Sequence, residues 1–205
     1  ATITLRDGEY EELLFLRNQN NVTIQGESRD NTLVYYANYD SLNSGSGKSS
    51  PVGATVAEGG RSVFLVEGAD NLTLHNFTLK NTHTRSNAYS NQAEALYFNN
   101  DDGRLSAVNM NFISEQDTLQ LKGYSWFHET LVAGNVDFIW GYVNTALFEN
   151  SEIRTIGDSK NGNPDEDTAG GYVLQARVPD IDHKGFIFLN SRFTNGPGPL
   201  GNSVL

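Results

Sequence analysis

The chain has 205 residues, 38% of them hydrophobic, enough to bury a core as one domain. A formal net charge of −11 argues against a nucleic-acid partner, whose phosphates would go unneutralised, and against an anionic membrane surface. The absence of cysteine excludes disulfides, thiolate chemistry and Cys-based zinc sites.

Glycine is frequent at 20 residues while Pro (5) and Met (1) are scarce, a mix that suggests short strands joined by turns. In chain order, Ala1-Thr2-Ile3-Thr4-Leu5 is already strand-like, with no basic or apolar leader. Either a signal has been removed or the sequence starts inside the domain. Strand candidates follow at 22–25, 32–36, 63–66, 72–79, 105–113, 126–132, 145–155, 172–177 and 185–193. Polar, turn-rich stretches at 40–50, 82–91 and 157–171 read as insertions between them. No apolar run approaches the roughly 18 residues of a membrane span. No stretch of ten or more residues sustains a helical stripe.

One pattern recurs: apolar residues, Asn, then a large apolar residue. It appears around Asn76, Asn109, Asn150 and Asn190, and with Glu in the same place at Glu129. The successive intervals are 33, 20, 21 and 40 residues, so a basic coil of about 20 is implied, lengthened by insertions. Two architectures compete, an antiparallel sandwich and a parallel β-helix of stacked coils. The coil-length repeat and the lack of Asn-Gly hairpin signals favour the all-β parallel β-helix. Asn at one place per coil suits a left-handed corner and a side-chain ladder between rungs.

Several short matches carry no chemistry. Gly47-Lys48-Ser49 lacks the Gly five positions earlier that a phosphate loop needs, and the prolines at 197 and 199 spoil the apparent dinucleotide fingerprint at 196–201. The four histidines show no ligand spacing, so no metal site and no cofactor are expected. The sequons at Asn21, Asn71 and Asn76 read as rung corners, and Asp165-Glu166-Asp167 as a solvated loop in preference to a calcium site.

Three segments remain: Asn91-Gln92-Ala93-Glu94-Ala95-Leu96, Glu115-Gln116-Asp117-Thr118-Leu119 and Val136-Asp137-Phe138-Ile139-Trp140-Gly141. Gln92 and Gln116 are 24 positions apart, and Asp117 and Asp137 are 20 apart, which puts them on adjacent rungs of one face. Parallel strands lie ~4.8 Å apart, so the two carboxylates interact. Such a pair splits into one proton holder and one ionised nucleophile, while glutamine amides can stabilise an oxyanion. The alternative is that each Asp simply caps a turn, as Asp often does.

Gln-Ala-Glu-Ala-Leu (92–96), Gln-Asp-Thr-Leu (116–119) and Asp-Phe-Ile-Trp-Gly (137–141) resemble three signature blocks of pectin methylesterases, in the family's order. Segments 7–12, 22–27 and 171–177 add supporting matches. The resemblance implies a right-handed parallel β-helix that hydrolyses galacturonate methyl esters in homogalacturonan (pectin), releasing methanol. By position it implies Asp137 as the nucleophile, Asp117 as acid and then base, and Gln116 with Gln92 at the oxyanion. Trp140 and Phe138 flank the nucleophile and either stack on sugar or pack the rung. A secreted, monomeric protein without cofactor is expected, with methyl-esterified pectin as its partner.

Three departures stand out. Gln120 replaces a usual Tyr, and Glu94 stands where a small or apolar residue is common. The family's Leu-Gly-Arg-Pro-Trp-like block, whose arginine pairs with the nucleophile, would begin where the chain stops at Leu205. The family's first N-terminal coil is also missing, so the resemblance implies a helix truncated at both ends and little activity without the arginine. Two other readings differ in class: a catalytically silent pectin-binding module, and a β-helical polysaccharide lyase, which would need calcium and give unsaturated products.

Overall fold

The computed structural model describes residues 1–46, 60–160, 168 and 170–204. Gly47-Lys48-Ser49 and Asp165-Glu166-Asp167 lie outside the described residues. The described chain contains eighteen strands and no helix: β1 (Thr2–Leu5), β2 (Gly8–Glu11), β3 (Leu14–Arg17), β4 (Val22–Gly26), β5 (Thr32–Tyr36), β6 (Phe64–Glu67), β7 (Leu72–His75), β8 (Thr78–Asn81), β9 (Leu96–Asn99), β10 (Arg104–Val108), β11 (Asn111–Ile113), β12 (Leu119–His128), β13 (Leu131–Gly134), β14 (Ile139–Glu149), β15 (Glu152–Ile156), β16 (Leu174–Arg177), β17 (Gly185–Leu189) and β18 (Arg192–Gly196).

Every ladder between these strands is parallel, and each strand pairs with its counterpart one coil away. Three faces result. The first stacks β1, β4, β7, β10, the second half of β12, the second half of β14, and β17. The second stacks β2, β5, β8, β11, β13, β15 and β18. The third stacks β3, β6, β9, the first half of β12, the first half of β14, and β16. The chain visits the faces in strict rotation, which is a parallel β-helix. β12 and β14 run on from the third face to the first, so those two faces join as one 11-stranded sheet. Their bend sits at Gly123, which has φ 62 and no room for a Cβ, since the Asn100 and Gly103 carbonyls lie 2.5 Å from that position. The register between β12 and β14 slips at the same point.

The corner between the first and second faces explains the sequence repeat. Asn76, Asn109, Glu129, Asn150 and Asn190 are each the one left-handed residue of that corner, with φ between 49 and 64°. A side chain that tolerates the left-handed region is needed there, and Asn is the least costly after Gly. The Asn109 amide donates to the Asn76 Oδ1 at 2.6 Å, and Asn71 donates to Asn21 at 2.7 Å, so asparagines bond rung to rung as expected. A repeat candidate such as 72–79 is therefore two strands bent at Asn76.

Inside, identical positions stack. The Phe127 and Phe148 rings lie 4.6 Å apart and nearly parallel, and Phe148 stacks in turn on Phe188 at 5.1 Å. Phe148→Ala should cost about 3–5 kcal/mol of unfolding free energy, because the rigid coils above and below cannot close the void. Urea denaturation would read it, and a loss under about 1 kcal/mol would contradict the stacking account.

The corner from the second to the third face is where the coils differ. It is short in the fourth and fifth coils, residues 114–118 and 135–138, and long in the second, third and sixth, residues 37–63, 82–95 and 157–173. The insertions therefore flank the two short turns on either side. Both aspartates singled out from sequence sit in those short turns.

Candidate active site

Register aligns the carboxylates. Leu96, Leu119 and Ile139 are partners across β9, β12 and β14. Two residues before each stands an acid: Glu94, Asp117 and Asp137. Three successive rungs thus bring three carboxylates into one column, spaced at the ~4.8 Å of parallel strands. The backbone ties them closely, with Asp117 N donating to Val136 O at 3.0 Å and Gln116 bridging Val136. Asp117 and Asp137 both have left-handed backbones, φ 62 and 46°. That conformation is sparsely populated for residues with a Cβ and is tolerated by Asp. Each Asp therefore does make a turn, as the alternative reading held, and each also faces the other across one rung.

Asp117 is buried, while Asp137 is half-buried. Burial pushes the Asp117 carboxyl up to about 8, with the negative charges of Glu94 and Asp137 adding to the rise and Arg61 and Arg85 opposing it. Glu94 is fully buried and is also pushed upward by desolvation, against the pull of Arg61. The Arg61 guanidinium is shared by Glu94, Asp117 and Asp40 and cannot balance all three, so the column holds a proton near neutral pH.

That guanidinium is supplied by the second-coil insertion. Arg61 Nε donates to both oxygens of Glu94 at 3.0 Å, Nη2 donates to Asp117 Oδ2 at 3.2 Å, and Nη1 reaches Asp40 Oδ1 at 3.1 Å. A second cation enters from the third-coil insertion. Arg85 donates from Nε to Gln116 Oε1 at 3.0 Å, and its Nη1 lies 2.7 Å from Asp158 Oδ2. Beneath it, the buried Glu115 accepts backbone N–H bonds from Arg85 at 2.7 Å and Ser159 at 2.6 Å, clamping the third- and sixth-coil insertions to the fourth coil. By holding the Gln116 oxygen, Arg85 leaves the amide nitrogen of Gln116 as the end available to a ligand.

The remaining sequence candidates separate. Gln92 is half-buried, and its Oε1 has no hydrogen-bond partner among the described residues. It stands four residues before Leu96, whereas Gln116 stands three before Leu119, so the two glutamines are one position out of register rather than stacked. Trp140 lies on the outer row of the third face, beside Gln120 on one strand and Gln175 on the other. Phe138 does not join it. Its side chain is fully buried in the core, so it packs the rung and presents no face to a sugar. The left-handed turn at Asp137 breaks the in–out alternation, and Phe138 and Ile139 are buried in succession.

Arg61, Arg85, Asp40 and Asp158 were not among the sequence candidates, because all four come from insertions whose path the coil period does not fix. Arg177 is another. Its guanidinium lies 5.5 Å from the Trp140 ring centroid and 5.2 Å from that of Tyr142, and it donates to the Tyr142 hydroxyl at 3.1 Å. A separate groove of about 580 Å³ follows the asparagine corner. Arg154 and Arg192 are there ion-paired to Glu152, so it offers no comparable chemistry.

The sequence profile of the pectinesterase family matches residues 1–198. Pectinesterase 1 from Olea europaea is 29% identical over 154 residues, which are 74% of this chain and 40% of the olive protein. The solved pectin methylesterase from Yersinia enterocolitica is 28% identical with a TM-score of 0.71, over 97% of this chain and 61% of that one. A pectin methylesterase solved in complex with a hexasaccharide gives a TM-score of 0.73 at 26% identity, over 94% and 56%. The chain thus spans about 40% of the curated relative's length and less than two thirds of either solved enzyme.

Proposed function

The chain belongs to the pectinesterase family, and from that premise we propose that it hydrolyses galacturonate methyl esters in pectin through Asp137 and Asp117. The observation that carries the proposal is the pairing of a half-buried carboxylate, Asp137, with a buried neighbour, Asp117, that keeps its proton near neutral pH.

The division of labour follows from the two environments. Asp137, the more exposed, attacks the ester carbonyl carbon and forms a tetrahedral oxyanion. Gln116, its oxygen anchored by Arg85, turns its amide N–H groups to that oxyanion, and Gln92, on the preceding coil, supplies a further amide. The intermediate collapses with cleavage of the bond to the methoxy oxygen, which takes the proton of Asp117 and leaves as methanol. Asp117, now a carboxylate, accepts a proton from water. The resulting hydroxide attacks the acyl carbon and frees Asp137, and the proton ends on Asp117. No metal or redox group enters this sequence of steps.

Trp140 and the cation held over it form a wall for the chain of sugars. The apolar face of a pyranose fits Trp140, and Arg177 suits a free carboxylate on a neighbouring unit. Trp140→Ala should raise KM for pectin about tenfold while kcat changes by less than about threefold. A fall in kcat with unchanged KM would remove Trp140 from substrate binding. Pectin being a polymer outside cells, this reading carries secretion with it, and action as a monomer.

Methanol release from methyl-esterified pectin, measured on the longest natural form of the protein, tests the proposal. Binding to pectin without methanol would favour the silent binding module, and calcium-dependent unsaturated products would favour a lyase.

A further inference from the structure

We infer that Glu94 is a positioning residue which keeps the proton on Asp117 by holding the charge of Arg61. The inference rests on the reading of Asp117 as the proton donor.

The geometry sets the order of claims on Arg61. Its Nε donates to both Glu94 oxygens at 3.0 Å, and Nη2 lies 2.9 Å from Glu94 Oε1. Asp117 receives one contact at 3.2 Å and Asp40 one at 3.1 Å. A planar fork matched to a carboxylate binds it more strongly than a single contact does. Glu94 is also the most completely enclosed of the three acids, with none of its side chain exposed. An ionised carboxylate there needs a counterion far more than one at the surface. Arg61 therefore serves Glu94 first, and its attraction for an Asp117 carboxylate is largely cancelled by the Glu94 anion bound to the same guanidinium.

The remaining groups facing Asp117 do not replace that control. Asp137 lies one rung beyond and disfavours a second negative charge, while Arg85 acts from the third-coil insertion and is already engaged by Asp158. Asp40 adds to the negative charge around Arg61. An apolar residue at 94 would leave Arg61 free to stabilise ionised Asp117. An acid at 94 gives the opposite bias, which a proton donor working near neutral pH requires. This is also a chemical reason for an acid at a position where the resemblance leads one to expect a small or apolar side chain.

The test is the carboxyl titration of Asp117, followed by ¹³C NMR and assigned by the signal that disappears in Asp117→Asn. Glu94→Gln keeps an oxygen for Arg61 but removes the charge, and the Asp117 midpoint is expected to fall by at least about one pH unit, a tenfold change in its ionisation constant. Glu94→Val should lower it at least as far, and Arg61→Met added to Glu94→Val should bring it back up. A midpoint unmoved or raised in whichever Glu94 variant folds overturns the inference. The alkaline limb of the methanol-release profile should move down with the midpoint. Since the NMR titration needs no turnover, a shifted midpoint without methanol release would sink the esterase reading alone. Release with an unmoved midpoint would sink this inference alone.

Discussion

Asp137→Asn is expected to reduce kcat for methanol release at least about a thousandfold while leaving the β-helix folded. The first half follows from chemistry: an amide cannot attack an ester at a useful rate, and removing a covalent nucleophile leaves only the binding and oxyanion contributions. The second follows from backbone geometry. Position 137 has φ 46°, a left-handed backbone that Asn adopts at seven other places among the described residues, with φ from 49 to 64°. The substitution therefore keeps the turn, and the thermal midpoint should stay within a few degrees of the parent. Residual activity above a few per cent would mean that Asp137 only positions substrate. Alanine would be a poorer choice, because a Cβ without a compensating polar group pays for the left-handed backbone and confuses folding with catalysis.

The frame of this molecule was legible because its period is short and its corner chemistry is demanding. Asn76, Asn109, Asn150 and Asn190 recur because each corner needs one left-handed residue, and even Glu129 betrayed its place by the apolar pattern around it and its interval. The same logic brought Asp117 and Asp137 together, since their 20-residue separation is one uninterrupted coil. It failed wherever the chain leaves the coil. Arg61 and Arg85 arrive from insertions of variable length, so no spacing predicts that one reaches Asp117 and the other Gln116. Phe138, left open in the sequence between stacking on sugar and packing the rung, is buried because the turn at Asp137 resets the in–out alternation. Glu94 shows the reverse case. It was visible in the sequence as a departure, but only the register with Asp117 gives it a consequence.

Asp117→Asn should lower kcat at least about a hundredfold and, at the same time, raise the thermal midpoint at pH 8. Loss of the proton donor gives the first effect, because methoxide must then leave unprotonated. The second comes from linkage. The Asp117 carboxyl titrates near 8 in the folded chain, against about 3.9 for an unperturbed Asp. Below about pH 4 folded and unfolded states both carry the proton, and the residue makes no difference. Between about 4 and 8 the unfolded chain releases the proton while the folded chain retains it, so stability falls as pH rises through that window. Above about 8 the loss is complete. Asn has no such proton to retain, and it keeps the left-handed turn, so the gain over the parent should be absent at pH 4 and largest at pH 8 and above. Thermal melts of the two proteins at pH 4, 6 and 8 would show the difference opening with pH. A gain that is equal at all three values, or a loss at pH 8, would show that Asp117 is not held protonated by its surroundings. The residue would then be an ordinary structural carboxylate, and the column of Glu94, Asp117 and Asp137 would have no acid to offer the leaving group.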